Sequence, residues 1–342
     1  MTIKDIARES GYAVGTVSRV LNNQPDVSKK ARKRIMEVVE KYHFRLNNNA
    51  KHLKQQTNSG VAIIVKGTRN MLFANMVESL QRLIKEKGYA CLIYYIGEED
   101  QEVEQALQVC RERQPLGIMF LGSNLENFRE RFVEVDVPCI LLTNTAKSLD
   151  FPNLSSVSVD DTYAAEKAIE HLVSLGHRKI GILGGELCGC RCSNPAKFRF
   201  DGCLNAFHRL QIPFEDKVQF EISRFAIEGG YEAMEQLLDK MPDLTAVFAM
   251  SDVTAIGAIR AMKDRGLRVP EDVSIIGFDG IEMGQYLVPK LTTIRQPAED
   301  MANRCVEILL QCICENKSAV NERIPFTLVK GESTAMLPPS NG

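Results

Sequence analysis

The chain has 342 residues, 44% hydrophobic and 25% charged, the balance of an ordinary folded protein and not of a disordered, fibrous or membrane-embedded one. No apolar run approaches the roughly 18 residues that cross a bilayer, and Met1–Ser10 is polar where an export signal is basic and then apolar, so a cytoplasmic, non-membrane protein of roughly two to three folding units is expected. The net charge of −2 hides an asymmetry: residues 1–58 carry 12 Lys/Arg against 5 Asp/Glu, a balance of +7, and the remainder carries −9. A short basic module joined to a large acidic body suits phosphate neutralisation at one end only.

From the N-terminus, Thr2 followed by Asp5 resembles a capping box, and Ile3, Ile6 and Ala7 form the inward stripe of a first helix that stops at Gly11. Val17, Val20 and Leu21 give a second helix its apolar face, ended by Asn22-Asn23-Gln24-Pro25. Ser28 caps a third, with Ile35, Val38, Val39 and Tyr42 expected inward and Lys29, Lys30, Arg32, Lys33 and Arg34 crowding its first turns. Residues 45–60 are polar, without a large apolar face, and read as a linker.

From Gly60 apolar runs alternate with amphipathic stretches, first over 61–142 and again over 157–278. Strands alternating with helices imply parallel sheets made of right-handed βαβ units, and two such series imply two similar α/β subdomains. Ligands of open α/β sheets bind beyond the carboxyl ends of the strands. A Walker loop, a GxSxG elbow, an HExxH helix and a nucleotide fingerprint after a strand are all missing, and the five histidines are scattered, so an enzyme is not expected and no cofactor is called for. Ten cysteines without a CxxC pair or an export signal point to reduced thiols. Cys188-Gly-Cys190-Arg-Cys192 has a spacing that suits a soft metal or a redox bridge, but four ligands for structural zinc are not in evidence, so no metal is expected.

Segment 4–23 has the logic of a helix-turn-helix, with Thr16-Val17-Ser18-Arg19 alternating a buried valine with phosphate-suited hydroxyls and a guanine-suited arginine. The signature Thr2-Ile3-Lys4-Asp5-Ile6-Ala7, then Thr16-Val17-Ser18-Arg19-Val20-Leu21-Asn22, resembles the lactose/galactose repressor (LacI/GalR) family. So do Gly176-His177-Arg178-Lys179-Ile180, Arg265 to Val273, Ile276-Gly277-Phe278-Asp279 and Leu291-Thr292-Thr293-Ile294 with Gln296-Pro297.

The resemblance implies a three-helix headpiece over 1–45, a hinge over 46–59, and a periplasmic-binding-protein-like core of two parallel-sheet α/β subdomains over 60–335. One subdomain is expected at about 60–158 and 292–322, the other at about 159–291 and 323–335. It implies a homodimeric repressor on a pseudo-palindromic double-stranded DNA operator, with affinity set by a small-molecule effector. Val14, Gly15 and Arg19 become base readers, with Thr16 and Ser18 on phosphates and Asn22 also against DNA, while Ala50 and Leu53 of the hinge enter the minor groove. Two departures stand out: Ala13 replaces a usual serine cap, and Leu46 replaces a usual proline.

For the effector the resemblance offers Asn70 and Phe73 from the first strand-helix loop, and Arg199, Phe225, Ser251 and Asp279 from the opposing subdomain. A carboxylate and a guanidinium forking onto vicinal hydroxyls favour a sugar, although a purine or nucleoside uses similar groups. Plainer readings make Arg199 a surface ion pair, Asp279 a turn residue before Gly280, and Asp252 a helix cap. A periplasmic sugar-binding module fits the core equally well but leaves residues 1–58 unexplained.

Overall fold

The computed structural model describes residues 3–21, 27–42, 60–67, 70–186, 194–315 and 317–337, without the side chains of Ile3, Lys4 and Ser18. They divide into two units, Met1–Thr57 and Asn58–Gly342. The first holds α1 (Ile3–Ser10), α2 (Val14–Leu21) and α3 (Lys29–Lys41). Ile6, Ala7, Val17, Val20, Ile35 and Val38 close one small core, the spacing that the sequence pattern required. Gly11, at φ +76°, turns the chain between α1 and α2, a conformation that glycine adopts without a Cβ penalty. The Ser28 hydroxyl accepts from the Ala31 N–H and caps α3. Tyr42 departs from expectation: it is 40% exposed, with its hydroxyl on Glu9, because it lies just past the last helical turn.

The second unit runs, in order, through β1 (Gly60–Lys66), α4 (Met71–Glu86), β2 (Ala90–Ile96), α5 (Glu102–Arg113), β3 (Gly117–Leu121), α6 (Glu126–Arg131), β4 (Cys139–Leu142) and β5 (Leu154–Ser158). It continues with α7 (Asp161–Ser174), β6 (Ile180–Gly184), α8 (Pro195–Arg209), α9 (Asp216–Gln219), β7 (Phe220–Ile222), α10 (Ile227–Lys240), β8 (Ala246–Ala249), α11 (Asp252–Asp264) and β9 (Ser274–Asp279). The last elements are β10 (Thr292–Arg295), α12 (Ala298–Glu315), β11 (Asn321–Arg323) and β12 (Thr327–Val329).

Among the described residues these strands make two six-stranded sheets, ordered β11-β5-β4-β3-β1-β2 and β12-β10-β9-β8-β6-β7. All pairings are parallel except that of β12 with β10. The central strands β1, β3, β8 and β9 are nearly continuous apolar runs because helices cover both faces. The chain crosses between sheets after β5, after β10 and after β11. The second crossing corrects the expected division at residue 292: β10 pairs with β9 in the second sheet, and only α12 turns back to pack on α4, β4 and β5. A four-residue apolar-polar run fits either sheet, so its pattern could not assign it.

Helices α10 and α11 pack backbone to backbone. A Cβ on Gly257 would lie 1.9 Å from the Ile227 carbonyl oxygen, and one on Gly230 would lie 2.2 Å from that of Thr254. Gly257→Ala is expected to push the helices apart and destabilise the unit by about 1–3 kcal/mol, lowering the melting temperature by about 2–4 °C per kcal/mol. Gly15→Ala, with nothing within 4 Å of its Cβ, is the control expected to leave the melting temperature unchanged or raised.

Candidate nucleic-acid interface and ligand site

In the headpiece, burial of Val17 and Val20 orients α2 so that Val14, Gly15 and Arg19 face outward, Val14 being 42% exposed. The Ala13 carbonyl accepts from Thr16 and Val17, but its methyl offers no side-chain cap. Thr16 is half-buried at the edge of this face. Ser18's side chain and all of Asn22, Ala50 and Leu53 lie outside the described residues. Helix α3 opens with Lys29, Lys30, Arg32 and Lys33 and no acid in its first turn. Cations there oppose the helix dipole, by about 0.3–1 kcal/mol each, so the dipole does not account for their position.

In the second unit Arg199 is buried, and its surroundings define the site. Its Nε donates to Asp161 Oδ1 at 2.8 Å, a terminal nitrogen donates to the Met250 carbonyl, and its guanidinium carbon stands 3.6 Å from the centroid of the Phe278 ring. Another terminal nitrogen lies 3.9 Å from Asp279 Oδ1, which also accepts from Gln296 Nε2 at 2.8 Å. The surface ion pair considered for Arg199 is thereby corrected to a buried one, and Asp279 is more than a turn residue. Burial pushes the Asp279 carboxyl up to about 6 against the pull of Arg199 and Gln296, and burial likewise raises Asp161 although Arg199 draws it down.

The cap of α11 is Ser251 and not Asp252. Ser251 caps α11, accepting from the Thr254 N–H at 3.2 Å and donating to the Thr254 hydroxyl, so its hydroxyl is already engaged. Asp252 is the first helical residue and turns inward, accepting from Thr293 Oγ1 at 2.6 Å and the Ile281 N–H at 2.8 Å. Gly277 leaves room for it, since a Cβ there would lie 2.3 Å from its carboxylate. Burial, reinforced by the charge of Asp279, pushes Asp252 well above the usual carboxylate range.

On the first sheet Asn70 caps α4, its Oδ1 accepting from Leu72 N–H at 2.9 Å, and the Phe73 ring covers Gly122 at the end of β3. Phe225 does the same over Gly185, just past the end of β6. The structure thus brings Arg199 and Asp279 together with Ser251 beside them, while Asn70 and Phe73 stand at strand ends of the other sheet.

Residues 2–47 match the bacterial regulatory proteins of the lacI family, and residues 169–334 match the periplasmic binding protein-like domain. The chain is 34% identical over 335 residues to the HTH-type transcriptional regulator MalR of Clostridium butyricum, with 94% of this chain and 96% of that protein covered. It belongs to the LacI family. The ribose operon repressor of Haemophilus influenzae is 31% identical over 312 residues, with 91% and 92% covered. The fold agrees with the CelR–cellobiose complex, at TM-score 0.71 and 24% identity over 97% and 99% of the two chains. It agrees also with the lac repressor dimer bound to operator and the anti-inducer ONPF, at TM-score 0.74 and 23% identity over 98% and 99%. As a LacI-family member the chain is a DNA-binding transcriptional repressor with a ligand-binding core, not an enzyme. Among the described residues no helix is long and apolar enough to cross a membrane.

Sequence reasoning on this LacI-family chain missed Asp161, Ser123, Asn144 and Gln296. Asp161 hides beside Asp160, which caps α7 by accepting from Tyr163 N–H; a second acid where one suffices was the available signal. Asn144 donates to the Ser123 carbonyl, and both Asn144 Oδ1 and Ser123 Oγ are buried without a hydrogen-bond partner among the described residues. They follow β4 and β3, next to Thr143 at φ +76°. A β-branched residue in that region is strained, and with Phe225 at +32° and Asp279 at +117° strain gathers near strand ends.

A carboxyl that holds its proton more tightly in the folded chain than in the unfolded one stabilises the fold at low pH. That contribution is lost as pH rises from the ordinary 3.8 through the folded value of about 6. For buried Asp279 the loss is about 3 kcal/mol. Asp279→Asn is expected to make the melting temperature fall less, or rise more, between about pH 4 and 6 than in the wild type, since the contributions of the other titrating groups are common to both; unfolding scans across that range check it.

Proposed function

We propose that the chain is an operator-binding homodimer whose DNA affinity is set by a small polyhydroxylated effector, a sugar, held between Asp279 and Arg199 of the second sheet and Asn70 and Phe73 of the first. The observation that carries the reading is the buried Arg199–Asp161–Asp279 group: two carboxylates share one guanidinium, leaving Asp279 an acceptor for hydroxyl donors. Phe225 offers an apolar face to a ring, and Ser251 holds the start of α11 against the site. The CelR complex contains cellobiose, and an Enterococcus faecium LacI-family regulator of 27% identity and TM-score 0.67, covering 81% of this chain and 99% of that one, contains ribose. The ribose complex supports a sugar here, and a purine or nucleoside, with relatives that include the repressors PurR at 30% and CytR at 31% identity, is the alternative that the calorimetry below separates.

The DNA face is Val14, Gly15, Thr16, Ser18, Arg19 and Asn22, with Ala50 and Leu53 in the minor groove. Gly15 carries no side chain, so discrimination falls on Arg19 and the hinge. One short recognition helix discriminates too little alone, which is the argument for two copies on a pseudo-palindrome. Exposed apolar residues support a partner copy: Tyr286 and Val288 are 78% and 94% exposed, and Tyr95 is 57% exposed on β2, the edge strand of the first sheet.

Arg19→Ala is expected to raise the dissociation constant for a duplex selected in vitro by the wild-type chain about tenfold or more, a loss of ~1–3 kcal/mol per half-site, while binding to unrelated DNA falls much less. An unaltered preference removes Arg19 as a base reader, and one chain per duplex removes the dimer. For the ligand, calorimetry with cellobiose, ribose, hypoxanthine and adenosine is expected to give its strongest binding with a sugar, weakened at least about tenfold by Asp279→Ala. Preference for hypoxanthine or adenosine replaces the sugar with a purine, and affinity unchanged in the variant takes Asp279 out of the site.

A further inference from the structure

We propose that Gln296 is a positioning residue that carries the state of the Asp279 carboxylate into the crossover between the sheets, and so determines how the first sheet responds to what the second one holds. The inference deepens the ligand reading and rests on it for Asp279. Gln296 stands between β10, the second-sheet strand beside β9, and α12, which packs on α4, β4 and β5 of the first sheet. It grips Asp279 twice: its backbone N–H donates to the Asp279 carbonyl at 3.0 Å, and its Nε2 donates to Oδ1 at 2.8 Å. That same oxygen faces Arg199 at 3.9 Å.

The grip is tight on the other side as well. Gly280, at φ +73°, packs on Arg295 so closely that a Cβ would lie 2.5 Å from its side chain and 2.7 Å from its Cα. The turn that presents Asp279 and the strand end that leads into the crossover therefore move together or not at all. Gln296 is 3% exposed, and its Oε1 is buried without a hydrogen-bond partner among the described residues. A buried acceptor without a donor is unfavourable, so this arrangement gains when a rotated amide or an incoming hydroxyl satisfies Oε1. Ser123 Oγ and Asn144 Oδ1 are likewise buried without a partner among the described residues, but of these three side chains only Gln296 also holds a carboxylate and stands at a crossover. Here one end holds the candidate ligand carboxylate and the other stays open, the chemistry of a two-position element.

The test is a double-mutant cycle in the full-length chain. Asp279→Asn removes the charge at constant shape, and the response is read as amide hydrogen exchange over residues 298–303, the first turn of α12, and as affinity for the duplex selected by the wild-type chain. With Gln296 present, Asp279→Asn is expected to change exchange there about fivefold and the dissociation constant about threefold; with Gln296→Met, both responses shrink to less than about twofold. Equal responses in the two backgrounds, or none in either, overturn the proposal. A purely structural Gln296 lowers the melting temperature but leaves the response to Asp279→Asn intact. Should Gln296→Met not fold, Gln296→Asn, one methylene shorter, is measured with the same expectation. Cellobiose and ribose calorimetry on wild type and Asp279→Asn reports separately on the ligand reading, so a chain that binds neither sugar loses that reading without deciding the cycle.

Discussion

Burial of the Arg199 guanidinium is the constraint from which the second sheet's organisation follows. A cation removed from water is unfavourable by several kcal/mol unless its donors are matched. The matching comes from four places in the chain: Asp161 at the start of α7, the Met250 carbonyl after β8, the Phe278 face on β9 and Asp279 at its end. Each sits at a strand end or a helix start, so satisfying one side chain fixes the register of helices and strands around it. Because two carboxylates answer one cation, the group keeps acceptor capacity that the fold itself does not use. The proposed hydroxyl-binding site would thus be the residue of a folding requirement, obtained without any added element.

The fold was largely legible in the sequence because its signals are local. Ile6, Val17, Val20, Ile35 and Val38 fall at helical spacing, and Gly60–Lys66 or Ala246–Ala249 are apolar runs that only a strand buried on both faces explains. Tyr42 misled because apolar spacing continues beyond the last turn that can use it. β10 misled because strand character says nothing about which sheet receives the strand. The site was half legible. Arg199 and Asp279 stand in motifs, but Asp161 lies 38 residues from Arg199, and adjacent acids at a helix start look interchangeable. Asp160-Asp161 and Ser251-Asp252 follow one rule: the first residue caps the helix and the second turns inward. Sequence reasoning applied the cap to Asp252 because either residue type suits it. Ser123 and Asn144 carried no signal, since an unpaired acceptor exists only once the surrounding chain is placed.

The headpiece obeys a different economy. Among the described residues its core is a small cluster of six buried apolar side chains, and the basic excess gathers at the start of α3 against the local dipole. Gly15 and exposed Val14 leave α2 with few polar groups for base edges. On the proposed DNA reading, electrostatic attraction and sequence discrimination are separated: α3 supplies attraction that any duplex satisfies, and Arg19 with the hinge supplies selection.

The crossings between the sheets give the two halves of the core a narrow mechanical connection. After β5 the chain passes Asp160, which caps α7 and pairs with Arg323; after β10 it passes Gln296, bound to Asp279; the crossing after β11 starts from Arg323 itself, the last residue of that strand. Two of the three crossings are thus tied to each other, and Ile324 N–H reinforces the tie by donating to the Ser158 carbonyl. The third is tied to the site. Rotation about the paired crossings leaves their mutual geometry intact, whereas any such rotation must change the Gln296–Asp279 contact or carry Asp279 with it. On the proposed reading, coupling between ligand and sheet orientation needs no long path through the core: it is set where the chain already passes from one sheet to the other.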